Sequence, residues 1–235
     1  MLAGPDAVAA EAAGIVCSFS FPGASLGLPT GVTPIPMYAE IARRVATGEC
    51  DFSGVTIWAI DEFCGVLPDT RGTNAEFYRR HLTVPVRELY CPSSDAEDAA
   101  VHIQEYAAAV RATGGLDLVV LGIGGNGHIA FNEPGAEREA PARVVELAEA
   151  SRQAHAAEFG SADRVPREGM TLGIADLLSA RAVLVLATGA HKAMIVRAAL
   201  EGPETPALPA SWLRGHPRVL WIIDEAAASE RAPGS

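Results

Sequence analysis

Three places in this sequence combine residue types that move protons or hold anions. The first is Gly122-Ile123-Gly124-Gly125-Asn126-Gly127-His128, continued by Ile129-Ala130-Phe131-Asn132-Glu133-Pro134-Gly135. It puts a histidine, an amide and a carboxylate within one loop, and glycines such as Gly124 let a ligand approach bare backbone. A histidine with a nearby carboxylate can serve as a general acid or base whose tautomer its partner sets. An arbitrary loop histidine is more often satisfied by backbone; the glycine-rich end of an apolar run reverses that reading for His128. The second place is Asp61-Glu62, which closes the apolar run VTIWAI. A carboxylate partly desolvated at a strand end has its pKa raised toward neutrality, as a general base requires, and the alternative is a helix cap or a turn. The third is Pro29-Thr30-Gly31-Val32-Thr33-Pro34 before a helical pattern. A helix start offers free N–H groups and a positive dipole end to a phosphate, although Thr and Pro there often merely cap. Gly189-Ala190-His191-Lys192 is a similar junction. A lysine at a helix start opposes the dipole, so Lys192 hints at an anion between itself and the amides.

The elements that must carry these groups follow from periodicity. Continuous apolar runs predict strands over 24–28, 55–60, 116–122, 182–187 and 219–223, with a weaker one over 144–147. Helical spacing covers 35–46, 74–82, 95–113, 151–159 and 191–200, and 170–180 is a segment without a clear period. Apolar strands alternating with helices predict one α/β domain over 1–235, a Rossmann-like doubly wound, mainly parallel sheet with helices on both faces. Active sites of such sheets sit beyond the carboxyl ends of the strands, where Asp61, Gly124 and the loop of Thr30 all fall. The ends, 1–6 and 226–235, are expected to fray.

Composition narrows the partners. A hydrophobic fraction of 49% is ample for a core, and 18 Lys+Arg against 29 Asp+Glu leave a formal charge of −11. Such a chain repels a phosphate backbone, so nucleic acid is excluded as a partner. No run approaches the about 18 apolar residues of a membrane span, and a soluble cytoplasmic protein is expected. Cys17, Cys50, Cys64 and Cys91 show no CxxC or metal-ligand spacing, which argues against both disulfides and zinc. The glycine loop departs from GxGxxG and implies no dinucleotide.

With those residues in place, the sequence resembles the glucosamine-6-phosphate deaminase (isomerase) family, which includes galactosamine-6-phosphate isomerases and is related to 6-phosphogluconolactonases. The resemblance runs in order through LGLPTGVTPIPMY, IDEF, LGIGGNGHIAFNEPG, MTLGIADLLSAR, GAHKA and SWLRGHP. Lactonases lack the FNEPG half of the longest motif. The resemblance implies conversion of glucosamine 6-phosphate and water to fructose 6-phosphate and ammonia, without metal or redox cofactor. It implies Asp61 as the proton shuttle between sugar C2 and C1, His128 as ring-opening acid/base backed by Glu133, and Asn126 orienting His128. Thr30, Gly31, Val32, Thr33 and Lys192 resemble the phosphate cradle, and Gly124 lies in the substrate loop. Two departures bear on specificity. The family's TRxANxRFF-like segment is here SRQAHAAEF, so Ala157 replaces the second, phosphate-gripping arginine, with Arg152, His155 or Arg167 as nearby substitutes. Ala136 and Val145 replace the serine and lysine of allosteric members, and their C-terminal extension is missing. This speaks against regulation by N-acetylglucosamine 6-phosphate and favours a monomer over an oligomer. Rival readings are another amino-sugar phosphate isomerase, a lactonase, or a sensor without turnover; intact Asp61, His128 and Glu133 oppose the last.

Overall fold

In the computed structural model, which describes residues 1–231, the chain runs through α1 (Pro5–Ser18), β1 (Ser25–Leu28), α2 (Ile35–Ala46), β2 (Thr56–Ala59), β3 (Asp61–Phe63), α3 (Asn74–His81), β4 (Glu88–Tyr90) and α4 (Ala99–Ala112). It continues through β5 (Leu118–Gly122), β6 (Arg143–Glu146), α5 (Glu149–Phe159), β7 (Glu168–Thr171), α6 (Ile174–Leu178), β8 (Val183–Ala187), α7 (Ala193–Glu201) and β9 (Val219–Ile223). Six strands form a parallel sheet in the order β4-β2-β1-β5-β8-β9. The chain works outward from β1 to β4, then returns and works outward from β5 to β9. That reversal opens a crevice between the carboxyl ends of β1 and β5, the binding position of a doubly wound sheet.

Strand side chains alternate between two cores. Leu118, Val120, Leu184 and Leu186 meet α1, α2 and α3 through Val16, Met37, Tyr38 and Phe77. Val119, Leu121, Val183 and Val185 meet α4 and α7 through Ile103, Tyr106 and Val196 on the other face. The doubly wound sheet with helices on both faces is therefore as the periodicity predicts.

A second, antiparallel sheet of three strands, β3-β7-β6, does not follow from the periodicity. Asp61, Glu62 and Phe63 pair with Thr171, Met170 and Gly169. Strands of three or four residues are too short to show alternation, and β3 reads as the continuation of β2. Gly169 has a packing reason: a Cβ there would stand 2.5 Å from the Phe131 ring. Phe63, Phe131, Leu147, Phe159 and Val165 form a small core between this sheet and α5.

The expectation of frayed ends is corrected by three hydrogen bonds. Leu2 donates its N–H to Ile223 O at 3.1 Å and accepts from Glu225 N at 2.9 Å, which pins the chain start to the end of β9. Ala227 N donates to Asp224 Oδ1 at 2.7 Å, and Ala227 and Ala228 are buried. An alanine-rich start with a proline near helix position one hid α1, whose small residues pack tightly against the sheet. Residues 232–235 of the predicted tail lie outside the described residues. Among the described residues, no helix is long and apolar enough to cross a membrane.

Candidate active site

Asp61 stands at the carboxyl edge of the main sheet, where the chain leaves β2 and enters the three-stranded sheet. Its side chain is buried, and its Oδ1 accepts a hydrogen bond from Asn74 Nδ2 at 2.6 Å. The same Nδ2 donates to Asp61 O at 2.8 Å, while Asn74 Oδ1 accepts from Thr30 Oγ1 at 2.7 Å. Both ends of the amide are thereby assigned, and it bridges Asp61 to the loop after β1. Glu62, fully buried, takes N–H donors from Phe63, Asn74 and Ala75 at 2.8, 3.0 and 2.8 Å and so anchors the first turn of α3. Burial pushes both carboxyls up, Asp61 to about 8 with the neighbouring Glu62 charge as second cause, and Glu62 to about 7. Three N–H donors work against the rise at Glu62. Glu62 therefore ionises first, and its charge helps keep the proton on Asp61.

His128 sits in the loop after β5, its ring folded back over Gly124. A Cβ at Gly124 would lie 2.3 Å from the imidazole, so only glycine leaves room for this ring. Gly124 N also donates to His128 O at 2.9 Å and closes the loop. Glu133 Oε2 lies 3.6 Å from His128 Nδ1, and Ser151 Oγ lies 3.2 Å from the same nitrogen. Ser151 has one proton and gives it to Glu133 Oε1 at 2.5 Å, so it accepts from Nδ1–H. The neutral ring then carries its proton on Nδ1, and Nε2 is left for a ligand. Burial alone would raise Glu133, but the His128 and Ser151 contacts and the Asn126 amide outweigh it and hold the carboxyl down at about 2. Asn126 donates to Glu133 Oε2 at 2.8 Å and accepts from His128 N at 3.1 Å. It fixes the carboxylate and the backbone of His128, not the ring.

The short sheet joins these two halves. Thr171, the β7 partner of Asp61, presents its hydroxyl to Phe131 N at 3.3 Å and to Asn132 Nδ2 at 3.4 Å. Phe63 and Phe131 stack at a tilt with 5.0 Å between ring centres. The segment of Asp61 and the loop of His128 and Glu133 are thus tied to one strand.

The anion-holding candidates line the same edge. Thr30, Gly31, Val32 and Thr33 form the turn between β1 and α2, with Gly31 at φ 94° and Val32 exposed. Lys192, in the helical turn that opens α7, reaches across to donate to Ile123 O at 2.8 Å, and burial lowers its pKa. That contact places the ammonium beneath the glycine loop and leaves two further N–H donors. Ala157 is an exposed residue of α5. Of its suggested substitutes, His155 is packed edge-on against Phe63 and Phe131, and burial lowers its pKa, with His128 as the second cause. Held neutral, it brings no charge to an anion. Arg152 is half-buried on α5 and Arg167 is exposed.

Asn74 and Ser151 were not among the residues singled out from sequence. Each reaches its partner across 13 or more positions of chain, and neither residue type is diagnostic in a helix.

The arrangement can be compared with known proteins. A family described as glucosamine-6-phosphate isomerases/6-phosphogluconolactonase matches residues 14–221. A glucosamine-6-phosphate deaminase of Rhodopirellula baltica is 40% identical over 212 residues, 88% of this chain and 84% of the relative. One of Arthrobacter sp. (strain FB24) is 41% identical over 212 residues, 88% of this chain and 82% of the relative. Among solved structures, a monomeric glucosamine-6-phosphate deaminase superposes with a TM-score of 0.94 at 34% identity, covering 97% of this chain and 98% of that one. A 6-phosphogluconolactonase of Trypanosoma brucei, at 22% identity and TM-score 0.76 over 99% and 97% of the two chains, shares the fold. Motif order, crevice and matched length agree, and the chain belongs to the glucosamine-6-phosphate isomerase/6-phosphogluconolactonase family.

Proposed function

We propose that this protein converts glucosamine 6-phosphate and water to fructose 6-phosphate and ammonia. The observation that carries the reading is one sheet edge holding a buried carboxyl and an imidazole whose Nδ1 side is fully engaged. Relatives named glucosamine-6-phosphate deaminase, about two-fifths identical over most of the chain, support it.

His128 opens the pyranose. Its Nε2 takes the proton of the O1 hydroxyl and returns it to the ring oxygen, and the ionised Glu133 beside Nδ1 stabilises the imidazolium that forms between the two transfers. Asp61, in its ionised form, then removes the C2 proton; the C2–H electron pair becomes the C1–C2 double bond as the carbonyl pair moves onto the C1 oxygen, which takes a proton from water and leaves hydroxide. The enolamine collapses as Asp61 returns its proton to C1, leaving an iminium at C2 that the hydroxide can add to. With that addition ammonia departs. One base serves both carbons, as an aldose-to-ketose shift requires.

Thr30 to Thr33 and Lys192 hold the phosphate in this reading, with Asn74 joining Thr30 to Asp61. Ala157 favours a second reading, another amino-sugar phosphate such as galactosamine 6-phosphate, because a bidentate guanidinium is replaced by a methyl group. We further propose that the protein works as a monomer without an N-acetylglucosamine 6-phosphate effector, on the grounds of Ala136 and Val145.

Ammonia release across hexosamine 6-phosphates and the corresponding free sugars tests the function. Release from glucosamine 6-phosphate and none from glucosamine is expected. Release from a different epimer alone moves the protein to the second reading, and release from none of the panel overturns deamination.

A further inference from the structure

We propose that Cys17 and Cys50 form a reversible disulfide that staples the end of α1 to the segment following α2. Their Sγ atoms, both free thiols, lie 2.7 Å apart, inside the contact distance of two sulfurs, so that only a short approach separates them from a bond of about 2.05 Å. The two residues are 33 apart in sequence with no pairing motif, so only the fold discloses them. α1 and α2 lie on the same face of the sheet, packed on one another. Each descends from the carboxyl edge, so both helix ends come together beside the starts of β1 and β2. Both cysteines are half-buried, and a small reagent can reach them.

The oxidant this pair would take is a small disulfide of the glutathione class. Cys50 as thiolate attacks one sulfur of that molecule, its S–S bond breaks, and one small thiolate leaves with the electron pair. Cys17 as thiolate then attacks the Cys50 sulfur of the mixed disulfide and expels the second small thiol. Two protein thiols are oxidised by two electrons, and the small disulfide is reduced to two thiols that carry off the two protons. Burial, and next the adjoining Cys50, push the Cys17 thiol up to about 12; the exchange balances equally with the two cysteines interchanged. The restraint from Cys50 vanishes once its sulfur is in the mixed disulfide.

The position decides what oxidation does. The pair lies at the amino edge of the sheet, opposite the crevice, and the link closes a loop containing β1 and α2. Closing such a loop restricts the unfolded chain, so the staple acts on stability and leaves turnover alone.

The test equilibrates the full-length protein with excess oxidised glutathione or with dithiothreitol, then compares the two forms. In the oxidised form two of the four cysteines should titrate after denaturation, and a non-reducing digest should contain the Cys17 peptide joined to the Cys50 peptide. Its Tm should rise by about 5–10 °C over the reduced form, with ammonia release within twofold. Cys50→Ser should lose both the link and the Tm difference. Four free thiols in the wild type, glutathione adducts without a link, or a link to Cys64 or Cys91 would overturn the pairing. A link without a rise in Tm would overturn the staple. The wild-type digest decides the pairing even if the serine variant folds poorly.

Discussion

At Asp61, the burial that in the proposed mechanism readies a carboxyl for abstracting a proton from carbon also works against the fold. Its folded value of about 8 lies above the ordinary 3.8, so between these values the native chain holds a proton that the unfolded chain has released. Native stability from this group therefore falls as pH rises from about 4 to about 8. Asp61→Asn should lower kcat by about 100-fold or more and yet melt above the wild type at pH 8, with the gap closing toward pH 4. Thermal melts across that range beside kcat at each pH check both parts, and an Asn variant that melts lower at pH 8 contradicts the burial argument. Glu133 has the opposite sign: held at about 2, it contributes stability above about 4.5 that is lost as pH falls toward 2. Asn74 tempers Asp61, since its N–H favours the charged carboxylate. Asn74→Ala should move the acid limb of the kcat profile upward by about one unit and lower kcat at pH 7 by about tenfold. A profile lowered without any shift would make Asn74 a packing residue only. Asp61, His128 and Glu133 were legible in the sequence because glycine loops and apolar runs end at them. Asn74 and Ser151 were not, because a side-chain amide or hydroxyl takes its meaning from whatever the fold sets opposite it.

The three-stranded sheet is the element that converts two separate loops into one site. Thr171 joins β3 by register, and its hydroxyl accepts from the Phe131 backbone N–H and the Asn132 side-chain amide. Thr171→Val keeps the shape and removes the acceptor, so the protein should lose about 1–3 kcal/mol of stability. kcat should fall further than KM rises, because what suffers is the spacing of Asp61 against His128; denaturant melts with steady-state kinetics check this. Helix α5 bears on the other side of the reaction. Ala157→Arg should tighten phosphorylated ligands and leave free sugars unchanged, since the guanidinium meets a partner only when phosphate is bound. Calorimetry with glucosamine 6-phosphate and glucosamine tests it, and no gain for the phosphorylated ligand would show that the cradle is complete without an arginine. Of the elements, the long apolar strands and α2 stood out from periodicity, and α2 begins and ends where the spacing put it. α4 starts later than its pattern because Asp98 caps it, accepting from Val101 N at 3.0 Å. β3, β6 and β7 owe their existence to pairing, which no local pattern records.

Across the whole molecule, the parallel sheet with helices on both faces is a reading of alternation, but the order β4-β2-β1-β5-β8-β9 is not. If the protein works as proposed, it should sediment at the mass of one chain from micromolar concentrations upward, and N-acetylglucosamine 6-phosphate should leave the shape of its rate curve unchanged. A sigmoidal curve straightened by that sugar would contradict the inference from Ala136 and Val145. The meeting of the two chain ends also bears on synthesis. α1 rests on α2 along one side and on β8 and β9 along the other, and Leu2 is held by Ile223 and Glu225. A ribosome makes α1 about 200 residues before β9. At about 5–20 residues per second, the nascent helix waits roughly 10–40 s without the strands β8 and β9 that it packs on. Helix α1 is therefore fully housed only when β8 and β9 arrive, and during that interval it is the natural place for a chaperone to hold this chain.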